Sequence, residues 1–84
     1  MKTLSLSIVM PEKQVYQDDV DMVVVTAAGG EMGFLPDHAP LLARLKPGPI
    51  RIKKKEKTFS FAGGSGFAEV RNNRVTVLVY SIGT

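Results

Sequence analysis

The sequence predicts an all-β fold, a small sandwich or barrel built from short strands. Apolar and polar residues alternate with a period of two along most of the 84-residue chain, which is the pattern of strands that bury one face. Turn-forming residues recur at close spacing, and no window shows a 3.6-residue apolar stripe bounded by caps. About eight short strands with such turns indicate one compact β domain over residues 1–84.

The first third of the chain supplies three strand candidates. Residues 4–10 (LSLSIVM) place an apolar residue at every second position until Pro11 ends the run. Val15-Tyr16 begins a short second piece. Val20–Ala27 is rich in β-branched residues and is long enough for a central strand. Gly29-Gly30 then turns the chain.

The middle of the chain is divided by prolines. After Glu31–Leu35, which is expected to return as a strand, Pro36, Pro40, Pro47 and Pro49 follow within fourteen residues. Each proline pushes the residue before it away from the helical region. This section is therefore expected to consist of short extended pieces.

Alternation returns in the second half. Residues 50–53 alternate isoleucine with a basic residue, and the run Lys53–Lys57 is typical of a solvated hairpin tip. Phe59 and Phe61 share one face of the next strand, and Gly63–Gly66 forms a corner. The remaining elements are a strand at Phe67–Val70, a hairpin turn at Asn72-Asn73 and a strand through Val75, Val77 and Val79.

Composition excludes several classes of protein. Without cysteine, the chain has no disulfides and no thiolate metal ligands, which fits a reducing compartment. No apolar run approaches the roughly 20 residues of a transmembrane helix. The N-terminus is interrupted by serine and threonine at every second place, which favours a strand over a signal peptide. A cytoplasmic protein is expected.

Catalytic chemistry has little support in the sequence. His38 is the only histidine, so a hydrolase would have to combine it with a serine such as Ser65 and an aspartate. The local signature is absent, because Gly63–Phe67 lacks the second glycine of G-x-S-x-G. One histidine without a thiolate is also a poor metal ligand set. We expect no catalytic residue, metal or cofactor, and a partly exposed His38 hydrogen-bonded to backbone.

A nucleic-acid-binding β-barrel is the main alternative function. Lys53–Lys57 lies beside Phe59 and Phe61, and small barrels stack bases on strand aromatics next to basic residues. The two rings point to one face, however, and the chain has few aromatic residues. We therefore expect them to serve the core.

Some strands look apolar on both faces, although one face of a two-layer fold should be polar. Val23, Val25 and Ala27 alternate with Val20, Met22 and Val24, and Leu78 lies opposite Val75, Val77 and Val79. Either a protein partner or a strand end or loop of the chain itself could cover this surplus, and the sequence favours neither.

Several motifs resemble one family in order and spacing. G-E-M-G-F-L-P-D-H-A-P-L-L (Gly30–Leu42) is followed by L-K-P-G-P-I-R-I (Leu45–Ile52). With Pro11 and Val15-Tyr16, F-A-E-V (Phe67–Val70) and V-T-V-L (Val75–Leu78), they resemble the ε subunit of F-type ATP synthases. The similarity runs from about Leu4 to Leu78.

The resemblance implies a ten-stranded β-sandwich at the foot of the central rotor, packed on the γ subunit and resting on the polar loops of the c-ring. Such a subunit is non-catalytic. It couples γ to the ring during proton-driven ATP synthesis, as a monomer within a hetero-oligomeric complex on the cytoplasmic face of the bacterial plasma membrane. The implied ring contacts are Gly29, Gly30, Glu31, Met32 and Gly33. The implied γ contacts are Met10, His38, Ala39, Pro40, Leu41 and Leu42.

Three departures from the family pattern have structural consequences. Asp37 replaces the glycine before His38, and aspartate tolerates a left-handed backbone. Gly64–Phe67 stands where S-G-G-F is usual. The sequence ends at Ser81–Thr84, where the resemblance would place a C-terminal helical domain that restrains hydrolysis in the family, and we expect that domain to be absent. The chain is thus expected to assemble and couple, but not to inhibit hydrolysis or bind ATP through those helices.

Overall fold

The computed structural model describes residues 2–83, which form ten β-strands in one domain. The first five strands are β1 (Leu4–Met10), β2 (Lys13–Val20), β3 (Met22–Ala27), β4 (Gly30–Phe34) and β5 (Leu41–Leu45). The other five are β6 (Gly48–Lys54), β7 (Lys57–Gly63), β8 (Gly66–Arg71), β9 (Arg74–Val79) and β10 (Ile82–Gly83). The predicted all-β sandwich of about ten strands is confirmed.

All ten strands belong to one hydrogen-bonded sheet that curls on itself into two layers. Its order is β10-β7-β6-β3-β5-β8-β9-β1-β2, with β4 paired to β3 beside this path. Most neighbours are antiparallel, but β1 and β9 run parallel. Strands from both ends of the chain therefore lie side by side, and this closes the fold around a single core.

The core is filled by one face of each strand. The predicted alternation is confirmed most clearly in β1, where Leu4, Leu6 and Ile8 are fully buried. The other fully buried large side chains include Val20, Val23, Val25, Phe34, Ile50, Ile52, Val70, Val75 and Val77. Within residues 2–83 no charged or polar side chain is buried with them, so the core depends on apolar packing alone.

The expected strand over Val20–Ala27 was wrong, because the chain breaks at Asp21 between β2 and β3. The Asp21 amide donates to the Lys53 carbonyl at 2.8 Å, and its carboxylate accepts the Lys55 amide at 2.6 Å. This break resets the alternation. Val20 is therefore buried like Val23, whereas the sequence had placed the two on opposite faces.

The hairpin at Asn72-Asn73 is confirmed as a two-residue turn between Arg71 and Arg74. Both asparagines have positive φ, 50° and 59°, as a type I′ turn requires, and its twist matches that of the flanking strands. The lysine-rich tip is also confirmed, with Lys55 at a φ of 56° between β6 and β7.

Three features of the fold were not anticipated. Strand β5 lies between Pro40 and Pro47 and pairs with β8, and the short β10 pairs with the end of β7. The second strand is longer than expected because a bulge accommodates it: Ile8 faces Tyr16 while Val9 faces Gln14, which leaves Val15 as the extra residue.

An aromatic cluster closes the seam between β2 and β7, which are not adjacent in the sheet order of the described strands. The Tyr16 ring lies 5.7 Å from that of Phe59 and 5.6 Å from that of Phe61. Both phenylalanines are half-buried against the core, as expected. Their rings face Tyr16, so they do not form an open platform for stacking bases.

An ion pair between Asp18 and Lys54 lies beside this seam. The hydrogen bond from Lys54, with help from the Asp19 amide, lowers the pKa of Asp18, and the bond to Asp18 raises the pKa of Lys54. Asp18 therefore stabilises the fold above its ordinary pKa, and this contribution is lost as pH falls through the lowered value.

Asp18→Asn should lower the melting temperature slightly at pH 7, because the pair is partly exposed and screened. The deficit should disappear in acid below the lowered pKa of Asp18, where the wild-type carboxylate is protonated too. Thermal unfolding followed by circular dichroism from pH 2 to 8 measures it. Asp19→Asn, at the exposed neighbouring position, is the control and should show no such trend.

Candidate assembly surface

The loop expected to face the ring is the tip of the β3–β4 hairpin. Ala28 and Gly29 form the turn, and Gly30 follows with a φ of 130°. Gly29, Gly30, Glu31 and Gly33 are exposed, whereas Met32 is half-buried and packs against the core. Four of the five predicted residues therefore present an outer surface, and Met32 anchors the hairpin instead.

Glu31 is the charged group of this hairpin and forms an ion pair with Arg51 of β6. The two side chains are each about half exposed, at 53% and 45%. Thr26, opposite Glu31 in the hairpin register, donates its hydroxyl to the Pro49 carbonyl at 3.0 Å. Two side-chain contacts thus connect the β3–β4 hairpin to β6, and the Glu31 carboxylate stays about half exposed.

The proline-rich segment begins with a type II turn over Leu35–His38. Pro36 occupies the second position, Asp37 has a φ of 67°, and the His38 amide donates to the Leu35 carbonyl at 3.2 Å. The turn thus survives the replacement of glycine by Asp37. Asparagine and aspartate are the non-glycine residues that adopt this backbone most readily.

His38 is held against the protein on two sides. Its ring packs edge-on against Phe34 with centroids 5.3 Å apart, and its Nδ1 lies 2.7 Å from the Ala39 carbonyl oxygen, to which it donates. The imidazole is half-buried, as the sequence predicted. This arrangement fits a structural role.

The structure separates the residues assigned to γ. Ala39, Pro40 and Leu42 are exposed, with Leu42 at 69%, whereas Leu41 and Met10 are half-buried against the core. Met10 ends β1, and the His38 segment lies at the other end of that strand, where the Ser5 amide bonds to the Asn73 carbonyl. A seven-residue strand is about 20 Å long, so Met10 and the His38 segment lie about one strand length apart.

The outer face near the Met10 end of β1 carries a row of apolar side chains, here called the outer apolar row: Val9, Leu78 and Phe67. Leu78 pairs with Val9 on one side and with Phe67 on the other, so the three side chains lie next to one another across β1, β9 and β8. Phe67 is 39% exposed, and Tyr80, two residues beyond Leu78, is 56% exposed. The sequence marked only Leu78, because the pairing of the three strands is not visible in it.

The other surplus apolar positions need no partner. Met22 and Val24 lie on the outer face of β3, opposite Lys53 and Arg51 of β6. Both apolar side chains are half-buried. The long stems of the two basic residues can cover apolar surface while their charges stay in water. The chain itself thus accounts for this patch.

The geometry gives no support to the chemical alternatives. Among the hydrogen bonds of residues 2–83, none joins His38 to Ser65. Within the same residues, no group of three or more histidine or carboxylate side chains could hold a metal ion. The part of the chain that the structure describes also has no helix long and apolar enough to cross a membrane.

Comparison with known proteins gives one consistent result. Residues 3–83 match the family model described as the β-sandwich domain of the ATP synthase delta/epsilon chain. An ATP synthase epsilon chain of Desulforamulus reducens is 48% identical over 92% of this chain and 58% of its own length. One from Bacillus subtilis is 44% identical over all of this chain and 64% of its own. The chain thus spans roughly three fifths of these relatives.

Solved structures show the same fold. A chain of the Euglena gracilis mitochondrial ATP synthase superposes with a TM-score of 0.89 at 22% identity, over 95% of this chain and 52% of that one. A chain from the central stalk and c-ring structure of the Tetrahymena thermophila mitochondrial enzyme gives 0.81 at 17%, over 96% and 66%.

Proposed function

Since this chain belongs to the ATP synthase delta/epsilon family, we propose that it is a rotor subunit of an F-type ATP synthase that couples the γ subunit to the c-ring. It is non-catalytic in this proposal and transmits torque during proton-driven ATP synthesis. It lies on the cytoplasmic face of the bacterial plasma membrane and is held there by the complex.

The observation that carries the proposal is the outer apolar row, found on a chain that matches this family over residues 3–83. Phe67 is 39% exposed, although burying a phenylalanine contributes about 2 kcal/mol or more. Leu42, on β5 one strand beyond Phe67, is exposed further, at 69%. An apolar surface of this kind is typical of a protein interface, and γ is the partner that we assign to it.

The β3–β4 hairpin supplies the second contact in this proposal. Glycines at positions 29 and 30 let another backbone approach closely, and the Glu31 carboxylate, paired with Arg51, is still about half exposed. A methyl group at Gly29 would meet no described atom within 4 Å, so the tip is open to a partner. We assign the polar loops of the c-ring to this tip.

The fold suits the transmission of torque. The hairpin tip and the outer apolar row belong to one continuous sheet, so a load can pass through backbone hydrogen bonds. The prolines and the type II turn stiffen the connection between β4 and β5 and lower the entropy lost when a partner binds.

The test is a titration of the 84-residue chain with purified γ or a γ-containing catalytic complex at moderate salt. We expect saturable one-to-one binding that survives added single-stranded DNA. Absence of binding to γ, with or without c-ring, by a chain shown to be folded would contradict the rotor proposal. Affinity for single strands that falls steeply with salt would favour the nucleic-acid alternative instead.

A further inference from the structure

Two side chains join the proline-rich turn to the β8–β9 hairpin. The Asp37 amide donates to Asn73 Oδ1 at 2.5 Å, and Asn73 Nδ2 donates to Asp37 Oδ1 at 3.3 Å. The two residues are 36 positions apart in the chain. They therefore form a reciprocal tertiary contact between two tight turns.

The asparagine side of this contact is rigid. Asn73 is the second residue of the type I′ turn, with a φ of 59°, and it is half-buried. Its carbonyl accepts the Ser5 amide at 2.8 Å, which connects the turn to β1. The side-chain amide thus extends from a backbone that is held by two strands.

The aspartate side is kept in its charged, accepting form. Lys2 donates to Asp37 Oδ2 at 2.7 Å, and this bond, followed by the one from Asn73, lowers the pKa of the carboxyl. The lysine pair itself is exposed on both sides and contributes little. The positional constraint therefore comes from the Asn73 amide.

Both positions have a left-handed backbone, where glycine would be free of strain. Each position instead carries a side chain that hydrogen-bonds to the residue at the other position. Asp37 directly precedes the segment His38–Leu42, whose last residue, Leu42, is exposed. We propose that Asp37 and Asn73 form a clamp that fixes the proline-rich segment on the β8–β9 turn and so pre-organises it for γ.

Asp37 and Asn73 are positioning residues in this inference, which rests on the proposed function for the identity of the partner. Fixing the segment before γ arrives removes ordering entropy from the binding step. Asn73→Gly removes both bonds and should release the segment without disturbing the core, since glycine keeps the turn. Asp37→Gly removes only the 3.3 Å bond and leaves its own amide bonded to Asn73 Oδ1, so it should loosen the segment less. The double variant should behave like Asn73→Gly, because that change already removes both bonds.

The experiment compares four variants of the full chain: Asp37→Gly, Asn73→Gly, the double variant and Asp37→Asn. Asp37→Asn keeps the oxygen and the tolerance of positive φ, and it removes only the charge. In the free chain, Asn73→Gly should speed hydrogen exchange of the Asp37 amide about tenfold while the Val23 and Val25 amides stay protected. Global unfolding alone would move all three amides together.

Affinity for purified γ should fall roughly 3- to 10-fold in Asn73→Gly, less in Asp37→Gly, and in the double variant no further than in Asn73→Gly. Asp37→Asn should stay within about twofold of the wild type. Unchanged exchange at Asp37 in Asn73→Gly would overturn the clamp, whatever γ does. Faster exchange with unchanged affinity would overturn the positioning role and leave the rotor proposal standing. Failure of the wild type to bind γ would overturn the proposed function and the positioning role together, and exchange would still report on the contact.

Discussion

Gly66→Ala should destabilise the fold by more than about 3 kcal/mol, which is a large share of the stability of a small domain. A methyl group on Gly66 would lie 1.8 Å from the Leu78 carbonyl oxygen and 2.9 Å from the Val79 Cα. These are backbone atoms of the neighbouring strand, so no rotamer change can relieve the contact. The strands would have to separate where β8 joins β5 and β9.

Urea unfolding followed by far-ultraviolet circular dichroism measures this effect. Gly29→Ala is the matched control, because its methyl group would meet no described atom within 4 Å, and it should stay within about 0.5 kcal/mol of the wild type. Equal midpoints for Gly66→Ala and the wild type would contradict the close approach of β8 and β9.

Phe67→Glu should weaken binding to γ by about 30-fold or more, on the order of 2 kcal/mol. The substitution puts a charge in the middle of the surface that we assign to γ, next to Leu78. The fold should tolerate it, because Phe67 is 39% exposed and Arg44 lies opposite it on β5 as a counter-charge. Isothermal titration of the variant against purified γ measures the loss.

Ser60→Glu is the control for adding a charge at an exposed position. Ser60 lies on β7 opposite Arg51, and among the described strands β7 pairs with none of those that carry the outer apolar row. This variant should bind γ as the wild type does. Leu42→Glu, one strand from Phe67, should weaken binding. Equal affinity for the wild type and both Phe67→Glu and Leu42→Glu would place the γ contact elsewhere on the domain.

Local sequence signals predicted most of the strands and turns. The alternation in β1, β6 and β9 depends on one buried face, and the Asn72-Asn73 pair suits a type I′ turn wherever it occurs. The strand break at Asp21 was missed because it is set by Lys53 and Lys55, which are more than thirty positions away. Strand β10 was missed because two residues carry no periodicity.

Some parts of the candidate surface could likewise be predicted from the sequence, and others could not. The turn at Gly29-Gly30 could be found in the sequence because glycines and a turn are local features, and the resemblance extended it to a surface over Gly29–Gly33. The distance between Met10 and His38 could not be found in the sequence, since it follows from the antiparallel and parallel pairing of β5, β8, β9 and β1. Neither could the outer apolar row, whose members come from three strands.

The fold class, the family and the stiffness of the proline-rich segment follow from local features of the sequence. Periodicity, turn chemistry and restricted φ angles act over a few residues, so they can be read without a structure. Three other features could be seen only in the folded chain: which apolar residues remain outside, that Asp37 contacts Asn73, and that β8 and β9 meet at Gly66 too closely for a side chain. Such contacts depend on strand order and register, which are fixed only when the whole sheet closes around its core.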